Sequence, residues 1–220
     1  YFKDCIGVID GMHIPAHVIA KDQPRFRNRK GVLTQNVLAA CTLDLQFIFV
    51  YPGWEGSAED SRVLRAVLND PDQNFPQIPE APYQGFRYHL HEFKGANQQP
   101  KNAQELFNHR HASLRYAIQQ CTDLLQTRFP VLKLAPPYAF HIQRDLIIAA
   151  CVLHNFIRRE ERNDWLFLNS QIKAAAEVSE PDDQPEALSA SMVQEQEAFL
   201  FRHSIAASMW KNFLNEWDAW

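Results

Sequence analysis

Apolar and polar residues alternate in three short runs near the start of the chain, then recur every three to four residues through most of the rest. Ile6, Val8 and Ile9 predict a short buried strand that delivers Asp10 and Gly11 at its end. Thr34 to Tyr51 reads as two strands around a turn near Asp44, the second closing on Phe47-Ile-Phe-Val-Tyr51. The chain therefore opens as three antiparallel strands, followed by a Gly53–Ser57 loop. Helical spacing begins at Ala58, where Val63, Leu64, Val67 and Leu68 follow a carboxylate-rich first turn.

Pro71, Pro76, Pro79 and Pro82 exclude a helix or a central strand from residues 69–82. A short helix is predicted from Asn102 to Arg110. A second runs from His111 to Phe129, with a stripe of Leu114, Ala117, Ile118, Cys121, Leu124, Leu125 and Phe129, and Pro130 stops it. Ile142 to Arg159 is almost wholly apolar from Leu146 to Leu153, so this helix should be buried on most sides. Residues 173–190, rich in Ala, Glu, Asp and Pro, read as solvated chain. A last amphipathic helix carries Phe199, Ala206, Met209, Trp210, Phe213, Leu214 and Trp217, a stripe that docks back on the domain or meets a partner. The organisation is a domain over 1–160, an acidic, Pro-containing linker over 161–190 and a C-terminal helix over 191–220.

A chain of 220 residues, 46% hydrophobic, can bury one sizeable core. No apolar run approaches the roughly 20 residues of a membrane span, so no membrane partner is expected. The start, Tyr1-Phe2-Lys3-Asp4, has no Met and no signal pattern, and reads as a piece of a longer protein. Four cysteines stand scattered among apolar neighbours, which suits reduced, buried thiols. A net charge of −4 argues against a generic nucleic-acid coat protein but not against a DNA enzyme, whose steering depends on local patches.

An acid at a strand end with glycine behind it is how many folds hold a divalent metal, though a strand-ending Asp is more often a turn former; Asp10 is a candidate for both. Asp60, in the first turn of its helix, is a candidate ligand or an acid stabilising the helix N-terminus. Arg25, Arg27, Arg29 and Lys30 form a positive hairpin that can hold phosphates or guard an edge strand. His89, His91, His109 and His111 lack further zinc ligands at matching spacing and read as scattered histidines. Neither a Gly-rich phosphate loop nor a nucleophile elbow is present.

Taken in order, these segments resemble the DDE endonuclease domain of PIF/Harbinger-type transposases and the nucleases derived from them. The resemblance rests on Tyr1–Ile14, Arg27-Asn-Arg-Lys-Gly31, Thr34–Cys41, Gly53-Trp-Glu-Gly-Ser-Ala-Glu-Asp60-Ser-Arg, Leu106–Arg115, Arg128-Phe-Pro and Cys151-Val-Leu-His-Asn-Phe-Ile157. It implies an α/β, RNase H-like mixed sheet flanked by helices, here with a C-terminal helical extension. It implies Mg²⁺ or Mn²⁺ as cofactor, with Asp10 and Asp60 as catalytic metal ligands. It also implies DNA as partner, the Arg25–Lys30 patch as a nucleic-acid contact, a Myb-like partner protein and a nuclear location.

Two family positions are not matched. A strand ending in Asp-Ala-Gly-Tyr or similar is missing where Glu80 runs directly into Ala81, and Gln119 stands where the long helix should carry Glu. Such a strand pairs with the Asp10 strand at the centre of the family's sheet, and each buried backbone group left unpaired costs about 1–3 kcal/mol. With only Asp10 and Asp60 to offset two dications, the site is short of charge. The expectation is a nuclease impaired in this copy; the alternative is an inactive, domesticated DNA- or protein-binding module.

Overall fold

The computed structural model describes residues 5–76, 100–161, 163–174 and 192–217. Strand β1 (Val8–Pro15), the single turn α1 (Gln23–Phe26), β2 (Thr34–Cys41), β3 (Phe47–Glu55) and α2 (Asp60–Leu68) come first. Helices α3 (Ala103–Arg128), α4 (Phe140–Glu160), α5 (Trp165–Ala174) and α6 (Met192–Trp217) follow. The result is a mixed α/β chain with a three-stranded antiparallel sheet in the order β1-β2-β3, flanked by helices. Among the described residues no helix is long and apolar enough to cross a membrane.

Contacts divide the chain into two compact units. One holds Ile6–Pro76 and Arg115–Glu177; the other holds Tyr1–Cys5, Gln77–Leu114 and Val178–Trp220. In the first, β2 lies between two strands and two layers of helix, so every one of its residues is buried. Its side chains alternate between the layers. Val37, Ala39 and Cys41 join Met12, Ile14, Ile118, Cys121, Leu125, Ile147 and Cys151 in the main core. Leu38 faces the other way, against Ala58, Val63 and Val67. In the second unit, Leu106 and Phe107 of α3 pack on Ala206 and Met209, which belong to the stripe predicted for the last helix.

Side-chain amides fasten α4 to the sheet. Asn155 Oδ1 accepts from the Phe47 N–H (2.8 Å) and its Nδ2 donates to the Phe47 carbonyl (2.7 Å). His154 Nε2 donates to the Leu45 carbonyl (2.8 Å), in the turn joining β2 to β3, where Leu45 itself has φ 64°.

Several boundaries differ from expectation. β1 does not stop at Asp10, because Met12 and Ile14 continue the buried alternation as far as Pro15. β3 runs on through Gly53 to Glu55 rather than looping there. The two helices predicted either side of Arg110 are one, since neither Pro nor Gly interrupts the chain between them. Within 161–190, residues Trp165–Ala174 are helical and Phe167 is buried. The outer face of α4, expected to be covered, is exposed. The Glu80/Ala81 junction lies outside the described residues.

Candidate active site

Asp60 comes to lie against Gly11, the residue that follows Asp10 in β1. Asp60 opens α2, and its carboxylate lies against the backbone of Gly11. A Cβ at Gly11 would come within 2.5 Å of Asp60 Oδ2 and closer still to Oδ1. Glycine therefore matters here for the room it leaves, not for an unusual φ. Asn36 of β2, only 1% exposed, holds the acid in place. Its Nδ2 donates to Asp60 Oδ1 (2.7 Å) and to the Ala58 carbonyl (2.9 Å), tying the carboxylate and the preceding loop to the centre of the sheet. Among the described residues Asn36 is the one donor to Asp60, which leaves Oδ2 open.

Asp10 is half-buried and immediately precedes Gly11. Strand alternation starts its side chain from the face of Val8 and Met12, where α3 packs. Ile118 shares that core, and Thr122 Oγ1 contacts the Met12 sulfur at 3.6 Å. The acids thus reach β1 from its two sides, at consecutive residues. Carboxylate oxygens suit a hard cation. No group of three His, Cys, Asp or Glu able to hold a metal occurs among the described residues. Two carboxylates offset the charge of a single divalent ion and fall short of a pair carrying +4.

Gln119 is exposed on α3, and its Nε2 donates to Asp123 Oδ1 (3.1 Å). Partial desolvation raises the pKa of the exposed Asp123 carboxyl from its ordinary value, with the Gln119 hydrogen bond and the Lys133 charge opposing. Sequence reasoning missed Asp123 and Asn36. The signal for Asn36 was available: an amide immediately before the apolar run Val37–Cys41, on the same strand, needs a partner if the strand is buried.

The basic cluster does form a hairpin, with Arg27 bridged to Leu33. All four cations are exposed. Arg25 pairs with Glu55, which raises the guanidinium pKa, and Arg27 donates to the Gly31 carbonyl (2.6 Å). Of the histidine pairs, His89 and His91 lie outside the described residues, while His111 stacks on Phe107 one turn before it.

Residues 9–155, which include Asp10, Asp60 and Gln119, match the family model described as DDE superfamily endonuclease. Two curated proteins, both named "Putative nuclease HARBI1", are similar to the chain. That of Rattus norvegicus is 25% identical over 167 residues, and that of Bos taurus 25% identical over 166. Each alignment covers 73% of this chain and 48% of the relative, so the chain spans about half the length of the curated relatives it matches. No solved structure matches. The PIF/Harbinger-type resemblance and the family model agree, and the chain belongs to the DDE superfamily of endonucleases.

Proposed function

We propose that this chain is the RNase H-like nuclease domain of a transposase-derived protein and cleaves DNA phosphodiester bonds with Mg²⁺ or Mn²⁺ held by Asp10 and Asp60. The observation that supports it best is the Asp60 carboxylate seated on Gly11, the residue after Asp10 in the chain, with one oxygen fixed by Asn36. A bound dication supplies activation of the attacking oxygen and stabilisation of the leaving one. The protein's part is geometric. Asn36 limits Asp60 to one orientation, Gly11 gives it room, and the Arg25–Lys30 hairpin positions phosphates without reading bases. Gln119 offers a neutral amide where the resemblance calls for an acid, so turnover is slow. The nucleus, with a Myb-like DNA-binding protein alongside, is where such a domain meets its substrate.

Calorimetric titration with Mn²⁺, paired with nicking of supercoiled plasmid, tests this. Asp10→Asn and Asp60→Asn should each weaken Mn²⁺ binding at least tenfold, about 1.4 kcal/mol, and abolish nicking. Gln119→Glu should strengthen binding by a similar factor and raise the rate. Wild-type protein that takes up no Mn²⁺, or nicks equally well without Asp60, overturns the assignment.

The hairpin makes a separate prediction. Removing both side chains in Arg29→Ala/Lys30→Ala should weaken DNA binding equally across sequences. The slope of log K against log salt should fall by about 0.9 for each phosphate no longer neutralised. An unchanged slope places the DNA elsewhere.

A further inference from the structure

From Leu146 to Leu153 helix α4 is apolar all the way round, yet among the described residues one face has no cover. Ile147, Ala150, Cys151 and His154 are buried against the sheet and α3. On the opposite side Ile148 (41%), Val152 (60%), Leu153 (50%) and Phe156 (55%) are exposed. A helix hydrophobic on every side normally has a partner on every side. An exposed apolar stripe of this kind marks an interaction surface.

The charges at the ends of the stripe say which partner. Asp145 stands at one end and Arg159 at the other, and both are exposed. Neither has an ion pair or hydrogen bond among the described residues. Each lies seven residues, about two helical turns, from Val152 and so on its face, while Ile148 and Phe156 lie four residues to either side. An antiparallel second copy of the same helix, related by a two-fold axis at Val152, therefore sets Asp145 opposite Arg159. Symmetry makes the pair twice, and Ile148 meets Phe156 between them. A parallel copy in register would set Asp145 against Asp145 and Arg159 against Arg159, so the charges select the antiparallel arrangement.

We propose that the exposed face of α4 is a homodimer interface, occupied by α4 of a second copy packed antiparallel across a two-fold axis at Val152. A helix of 21 residues is about 31 Å long and offers less than the roughly 800 Å² a side of a standard interface. The dimer should accordingly be of micromolar rather than nanomolar affinity.

Sedimentation equilibrium on the full chain tests the proposal. Wild-type protein should show a monomer–dimer equilibrium in the micromolar range. Val152→Glu, which brings two carboxylates together on the axis, should weaken it at least tenfold with an unchanged circular dichroism spectrum. Asp145→Arg should also weaken it, and adding Arg159→Asp should restore it. Should V152E fail to fold, V152C decides the matter. In a Cys5→Ser background, with oxidised glutathione as oxidant, V152C should give a covalent dimer that Cys5→Ser alone does not, since Cys41, Cys121 and Cys151 are buried and Cys5 is not. A monomer at every concentration overturns the proposal, as does a dimer insensitive to V152E and the charge swap. A V152C thiol that resists alkylation in the monomer also overturns it, because the rest of the chain then covers this face.

Discussion

Gly11→Ala is expected to cost about 2–4 kcal/mol of stability and most of the affinity for Mn²⁺. The added methyl falls where the Asp60 carboxylate now sits. Forcing one extra carbon into a filled space costs about 1–3 kcal/mol. Evicting the carboxylate also breaks the bond from Asn36, and hydrogen bonds to charged groups contribute about 1.5–3 kcal/mol, less here because Asp60 is only half-buried. Urea unfolding and Mn²⁺ calorimetry measure the two effects separately. Asn36→Ala should weaken Mn²⁺ binding about tenfold with no steric clash, as loss of a side chain that orients a metal ligand commonly does. The decisive variant is Gly11→Ala/Asp60→Ala. Removing the obstructing carboxylate should recover most of the stability and none of the metal binding. A double variant as unstable as Gly11→Ala alone would mean that the methyl collides with something other than Asp60.

The same strand shows what was legible in the sequence. Alternation from Val8 onward located the sheet, and the apolar stripes located its helices. Asp10 read as the acid at the strand's end, with glycine allowing close approach behind it. Met12 and Ile14 keep the pairing going past that end, and what approaches the glycine is the Asp60 side chain arriving from α2, an identity that only tertiary structure supplies. The single long α3 was missed because two apolar segments with different stripes looked like two helices. They differ because residues up to Leu114 pack in one unit and those from Arg115 in the other. Asp10 and Asp60 could be named from motif resemblance, whereas Asn36, Asp123 and the uncovered face of α4 could not. Periodicity records that a residue is apolar, not what covers it. The wholly apolar α4 was read as buried for that reason.

The clamp between α4 and the β2–β3 hairpin should be the other large contributor to stability. Asn155→Ala removes both partners of Phe47 at once, leaving a part-buried N–H and carbonyl unpaired. At about 1–3 kcal/mol for each group, the expected loss is about 2–5 kcal/mol by urea unfolding. A loss under 1 kcal/mol would show that water replaces the amide freely. The neighbouring His154 adds a pH dependence of predictable sign. Burial lowers its pKa below the ordinary histidine value, against the smaller raising effect of its bond to the Leu45 carbonyl. Arg128 and Arg158 push the same way as burial, while Asp164 opposes; the Cys121 thiol, itself raised by burial, lies 3.7 Å away. A depressed folded pKa means that the unfolded chain takes up a proton which the native state refuses. Stability from this residue is therefore intact above about pH 6.5 and falls as the pH drops below it, by up to about 1.4 kcal/mol per unit, until the folded pKa is reached. His154→Gln keeps an N–H for Leu45 and removes the titration. Its acid limb should be shallower by up to one proton between pH 6.5 and 5, while Asn155→Ala should lower the whole curve without changing that slope. Equal slopes for H154Q and wild type would assign the acid sensitivity to the carboxylates instead.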